Sequence, residues 1–92
     1  MPKIAVYKNL VFFLYAYDLA ERAHLHVSNN KRGRKRSAKI WLDTLEVFQN
    51  GSLSEKELRE CQRILADKRE AVAEQIRNFA EGKNVALLNL NK

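Results

Sequence analysis

The chain has 92 residues, a formal net charge of +6, 46% apolar residues and one cysteine. This length sets one small domain, residues 1–92, that buries only roughly 60–65% of its unfolded surface, and a lone cysteine excludes an internal disulfide and suits a reducing compartment. The longest apolar run, Leu10 to Tyr17, falls far short of the about 20 residues a membrane helix needs, and Met1-Pro2-Lys3 opens no secretory signal, so the expectation is a cytoplasmic protein with no membrane partner.

Ile4 to Tyr7 reads as a short strand. Lys8-Asn9 follows as a tight two-residue turn, because Asn tolerates positive φ. Leu10 to Tyr17 is rich in β-branched and aromatic residues and apolar on both faces, with Val11, Phe13, Tyr15 and Tyr17 on one and Phe12, Leu14 and Ala16 on the other. Such a strand belongs in the middle of a sheet covered on both sides, or beside a partner subunit; on an edge it would invite aggregation. Asp18 to Ala23 is polar and loop-like.

His24 to Ser28 alternates, with Leu25 and Val27 inward and both histidines outward, since residues two apart on a strand share a face. Residues 29–37 form a basic hairpin loop in which Lys31-Arg32-Gly33-Arg34-Lys35-Arg36 puts five positive charges in six residues. Residues 1–53 hold nine Lys/Arg against four Asp/Glu, whereas residues 54–92 hold eight against seven, so this run carries the excess charge. Ala38 to Leu42 alternates again, Asp43-Thr44 turns the chain, Leu45 to Phe48 is another short strand, and Asn50-Gly51 ends it.

The helix start is the sharpest boundary. Ser54 with Glu57 is a capping box, and Leu53 with Leu58 a hydrophobic staple. Leu58, Cys61, Leu65, Val72, Ile76 and Phe79 then form one apolar stripe, interrupted near Lys68. The spacing predicts one long helix within residues 54–82, about 27 residues and about 40 Å between its cap and its stop. Gly82 stops it in the left-handed conformation, and residues 84–90 are a terminal strand or arm. Consecutive strands with short links, then a helix, predict an α+β fold: a small antiparallel sheet of about four to five strands within residues 1–50, with one long C-terminal helix packed on it. The helix outruns so small a sheet, leaving its distal part for a partner or the tail.

The chemistry-bearing residues are few. His24 and His26 are the candidate catalytic pair, because imidazole exchanges protons near neutral pH. The basic run Lys31, Arg32, Arg34, Lys35 and Arg36, with Lys39 and Trp41 beyond it, is the candidate nucleic-acid contact: cations meet phosphates and aromatics stack on bases, and Tyr15 and Tyr17 are placed to lie nearby. The plainer readings are a solvated hairpin tip, histidines on a half-exposed strand, and aromatics that close the core or an oligomer interface. No metal or cofactor is predicted. Two histidines are short of the three or four ligands a metal site needs, although Asp18, Glu21 or Asp43 would supply a third if the sheet brought one of them close. There is no Cys-x-x-Cys, His-Glu-x-x-His, Gly-rich phosphate loop or nucleophile elbow. Cys61, among Leu58, Ile64 and Leu65, is core filler.

The start Met1-Pro2-Lys3-Ile4, the apolar strand ending in Tyr17-Asp18, His24-Leu25-His26-Val27, the segment from Ala38 through Leu45-Glu46-Val47, and the helix from Ser54 with its short terminal strand resemble a family of small bacterial proteins catalogued as domain of unknown function 4160. The resemblance covers nearly the whole chain. It departs from the family pattern at Arg22-Ala23, where that pattern has a Pro-Pro pair, and in the longer, more basic hairpin. The resemblance implies a prokaryotic cytoplasmic protein whose gene sits beside another small one, a layout like toxin–antitoxin pairs. It implies no activity.

Three functions fit. The first is an interaction module, one partner of such a two-gene system, which binds its cognate protein and touches RNA or DNA through the basic hairpin. The second is a metal-independent ribonuclease using His24 and His26. The third is a self-associating structural domain. The doubly apolar strand and the over-long helix predict a homodimer or a tight cognate partner.

Overall fold

The computed structural model describes residues 3–15, 20, 22–29 and 33–91, of which 33–36 are described in backbone only. Ala16, Tyr17, Asp18, Glu21, Lys31 and Arg32, on which parts of the sequence reading fall, lie outside the described residues. The chain runs β1 (Lys3–Tyr7), β2 (Leu10–Phe13), β3 (His24–Asn29), β4 (Gly33–Trp41), β5 (Val47–Gln49), α1 (Glu55–Asp67), α2 (Arg69–Ala80) and β6 (Leu88–Asn89). The fold is α+β, a sheet in the order β5-β4-β3-β2-β1-β6 with both helices on one face.

The sheet is mixed, where a wholly antiparallel one was expected. Neighbours from β1 to β5 are antiparallel, but β6 joins β1 in parallel, Ala5 opposite Leu88 and Val6 opposite Asn89. Alternation makes β5 and β6, the two edges, run the same way. Strands so related need a long crossover, usually helical, and α1–α2 supply it across one face. Leu90 completes the join, donating its N–H to the Val6 carbonyl at 2.8 Å. Both edge strands are short, which limits pairing with other chains.

β2 sits between β1 and β3, and all four of its residues are buried. The apolarity that suggested a partner for this strand is therefore satisfied within one chain. The turn before it does contain a left-handed residue, but this is Lys8, at φ 54°, and not Asn9. The basic segment is also less of a loop than expected. β3 runs to Asn29 and β4 begins at Gly33, so Arg34, Lys35 and Arg36 belong to a strand. Leu45 and Glu46 fall outside β5, because Leu45 turns the chain at φ 64°.

The expected single helix over 54–82 is two. Lys68, at φ −110° and ψ 23°, separates α1 from α2. Its place follows from the apolar stripe: between Leu65 and Val72 the core-facing turn offers only Lys68 and Arg69, so nothing apolar anchors a straight continuation. A straight helix of about 40 Å would also exceed the molecule, which measures 33 × 28 × 25 Å. Both predicted ends hold. Ser54 Oγ accepts from the Glu57 N–H, and Glu57 Oε1 accepts from the Ser54 N–H. At the other end Gly82 has φ 77°, its N–H donating to the Phe79 carbonyl and that of Lys83 to the Asn78 carbonyl, the paired bonds typical of a left-handed glycine stop.

The core lies between helices and sheet. Ala5, Leu10, Phe12, Leu25, Val27 and Ile40 meet Leu58, Cys61, Ile64, Leu65 and Val72 there. Polar side chains tie the layers together. Asn29 Nδ2 donates to Glu57 Oε2 at 2.6 Å, so the capping carboxylate also holds the end of β3. Arg63 donates to the Tyr7 hydroxyl at 2.7 Å, Gln62 to the Leu45 carbonyl at 2.7 Å, and Gln75 to the carbonyls of Ile4 and Ala86.

Candidate nucleic-acid interface

Strand alternation sends every second side chain to the face away from the helices. The register then aligns those side chains across strands: Phe13 opposite His26, His26 opposite Lys39, and His24 opposite Trp41. Directly opposed side chains in an antiparallel pair are close enough for rings to touch. The result is a continuous aromatic strip. Tyr15 lies 5.3 Å from His26, which stacks on Phe13 at 5.5 Å and 21°. His26 meets His24 edge-on at 5.1 Å, His24 meets Trp41 at 5.7 Å, and Trp41 meets Phe48 at 5.2 Å.

Exposure grades along the strip. Phe13 is fully buried and His24 only 3% exposed. Tyr15, His26, Lys39 and Trp41 are half-buried. Phe48, on edge strand β5, is 61% exposed. Two cations lie among the outer rings. Lys39 Nζ is 5.0 Å from the Trp41 centroid and 5.1 Å from that of Phe48, and the Arg22 guanidinium is 4.4 Å from Trp41. Such contacts are worth about 0.5–1 kcal/mol at exposed sites. Arg22 is also held by Asp43, whose carboxyl sits below the usual carboxylate range chiefly because of that hydrogen bond.

The sequence-predicted residues divide here. His24, His26, Lys39 and Trp41 do come together, and the histidines share a face as expected. His24 is less accessible than a catalytic group on an open strand: its Nδ1–H donates to the Arg22 carbonyl at 2.8 Å, which fixes the ring's orientation. Lys31 and Arg32 lie outside the described residues, as do the side chains of Arg34, Lys35 and Arg36. The backbone nevertheless places Arg34, Lys35 and Arg36 on the strand that carries Lys39 and Trp41. Sequence reasoning missed Arg22, Phe13 and Phe48 as members of the strip. Phe13 was legible from its alternation with Val11. Phe48 needed the β4–β5 pairing, and Arg22 needed the partner it finds in Asp43.

Other chemistry finds less support. Among the described residues no group of three or more His, Cys, Asp or Glu is placed to hold a metal ion. Asp43, one of the third ligands considered, is engaged by Arg22. Cys61 is buried and its thiol is pushed up to about 12, first by burial and then by the Glu57 and Glu60 carboxylates. A thiol held protonated in this way is a poor nucleophile. Among the described residues no helix is long and apolar enough to cross a membrane.

Comparison with curated proteins gave no match, and neither did comparison with solved structures. Residues 9–75, which span β2 through the first half of α2 and so include the whole aromatic strip, match the family described as "Domain of unknown function (DUF4160)". The chain belongs to that family.

Proposed function

We propose that the protein is a small binding module that takes single-stranded nucleic acid on the sheet face opposite its helices. We place it as one partner of a toxin–antitoxin-like two-gene system. The observation that carries the reading is the Lys39–Trp41–Phe48 cluster, in which an exposed ring, a half-buried ring and a cation lie within 5.2 Å of one another on the strand pair that carries Arg34, Lys35 and Arg36. Single-stranded binders combine these two elements: a positive track for the backbone and aromatic faces on which bases stack, whatever their sequence. A duplex hides its base faces, so it gains only the electrostatic part.

The second reading, a metal-independent ribonuclease, rests on the 5.1 Å approach of His24 and His26. The burial of His24 weighs against it, since a general acid or base must reach its proton within hydrogen-bond distance.

Trp41 is the single tryptophan, so its fluorescence reports on this face alone. Titration with a short single-stranded RNA at low salt should quench it saturably. Phe48→Ala with Lys39→Ala should abolish most of the effect. No quenching at low ionic strength, or equal affinity for a duplex of the same length, would sink the reading. RNA should remain intact through the titration; cleavage that His26→Ala removes would establish the ribonuclease instead.

A further inference from the structure

On the helix side, away from the aromatic strip, α2 does not close against the end of the sheet. A groove of about 420 Å³ remains between α2 and the turn that joins β4 to β5. Its walls are almost wholly apolar: Leu42 and Leu45 from the turn, Leu65 and Val72 below, Ile76 and Ala80 along the helix. The gap follows from topology. α2 packs toward β1, and at the β4 side of the sheet its apolar stripe faces Leu42 and Leu45 of the turn after that strand.

Two further observations say what the groove takes. Arg69 and Arg77 line it, and neither makes an ion pair among the described residues. Eight residues apart on one helix, they stand about 12 Å from each other along its axis. The one acidic residue in the lining, Asp43, is neutralised by Arg22. The groove is thus apolar within and positive at two separated points. In addition, Leu45 holds a left-handed backbone at φ 64°, costly for a bulky residue. It is pinned there by the Gln62 bond to its carbonyl and its own N–H bond to Trp41, and its side chain forms a wall of the groove. Strain of this kind collects at binding sites.

We infer that this groove docks an acidic amphipathic helix of a partner protein, with aliphatic side chains seated against α2 and two carboxylates about two turns apart meeting Arg69 and Arg77. Helices bind grooves by setting an apolar stripe into them. A single fatty-acid-like carboxylate would need one arginine, whereas two arginines at this distance match an extended ligand. Ala73, exposed on the same face, leaves room for the close approach of a second helix. The groove touches the aromatic strip only through the Arg22–Asp43 pair and includes none of its rings, so the two readings are tested separately.

The probe is a synthetic helical peptide with a leucine stripe and two glutamates eight positions apart. Its counterpart carries lysines at those places, and sodium dodecanoate tests a small carboxylate. Binding is followed by peptide anisotropy and by hydrogen exchange of residues 42–46 and 65–80. The acidic peptide should bind saturably and slow exchange in both segments. Arg69→Ala with Arg77→Ala should weaken it about tenfold or more, as loss of charge-assisted contacts does. Ala73→Lys plugs the groove while adding positive charge: seating in the groove predicts weaker binding, mere charge attraction predicts tighter. The inference is overturned if the acidic peptide fails to bind at millimolar concentration, if the lysine peptide binds equally, or if Ala73→Lys does not weaken binding. It is equally overturned if dodecanoate alone protects the same amides, or if the free protein forms a dimer that Ala73→Lys dissolves.

Discussion

Arg22 grips Asp43 with two prongs, Nε and Nη2 each donating to a different carboxylate oxygen at 2.9 and 2.8 Å, while its Cζ lies 4.4 Å from the centre of the Trp41 ring. One residue thereby links the β4–β5 turn to the aromatic strip and sets which side of the indole is covered. Both members of the ion pair are exposed, so its contribution to stability at neutral pH is small.

The pair nevertheless has a pH signature. The Asp43 carboxyl is depressed in the folded state, first by the Arg22 hydrogen bond. Its contribution is therefore present above the ordinary value of about 4 and is lost as pH falls through the lower folded value. Asp43→Asn should remove that loss. Urea midpoints at about pH 6 and about pH 3 should differ less in the variant than in the wild type, by a small but signed amount. An equal or larger acid loss in Asp43→Asn would contradict the assignment.

The helix start is predicted to be unequal in its two halves. Ser54→Ala removes one cap bond and should cost about 1 kcal/mol. Glu57→Ala removes the reciprocal bond to the Ser54 N–H and also the acceptor of the buried Asn29 amide. It should cost more, about 2–3 kcal/mol, because a charge-assisted bond to a buried donor is lost. Denaturant unfolding of both variants checks the order; a Ser54→Ala cost at or above that of Glu57→Ala would refute it.

Cys61 should be silent in the folded protein. Its thiol is pushed up to about 12 from an ordinary 9.0, so alkylation at pH 8 should proceed only through opening of the fold and accelerate sharply in urea. A folded value raised above the unfolded one gives a stabilising contribution that is complete below about 9 and lost as pH rises toward about 12. Cys61→Ala should abolish that alkaline segment. Rapid labelling of the native protein would show that the site is open.

Nucleic-acid affinity should fall with salt at a slope of about −0.7 to −0.9 per neutralised phosphate, about −2 to −4 in all for three to five contacts. Replacing Arg32, Arg34, Lys35 and Arg36 by Ser should flatten the slope. Phe48→Ala should lower affinity while leaving the slope alone, since stacking releases no counterions. Phe48→Ala should not move the melting temperature much, given that Phe48 is 61% exposed. A slope unchanged by the four substitutions would place the phosphate contacts elsewhere.

Local signals in the chain already contained the strands near Ile4, Leu10 and His24, the second half of β4 from Ala38, the inward course of Leu25 and Val27, the cap at Ser54 and the stop at Gly82. Each depends on neighbours a few residues away: period-two alternation, a side chain reaching the next turn, a residue without Cβ. The shared face of His24 and His26 was legible for the same reason.

What only the tertiary structure decided involves distant partners. The parallel join of β6 to β1 depends on a crossover that carries the chain from one sheet edge to the other, a distance no local pattern encodes. The break at Lys68 arises because a molecule 33 Å long cannot hold a straight helix of about 40 Å over its sheet. The burial of β2 on both faces, which removes one reason to expect a partner, comes from strand order. The burial of His24 and the aromatic contacts from Tyr15 to Phe48 come from register, and the groove between α2 and the β4–β5 turn from how α2 lies over the sheet. These are matters of which surfaces meet, and a sequence states which residues are apolar or charged without stating what they will face.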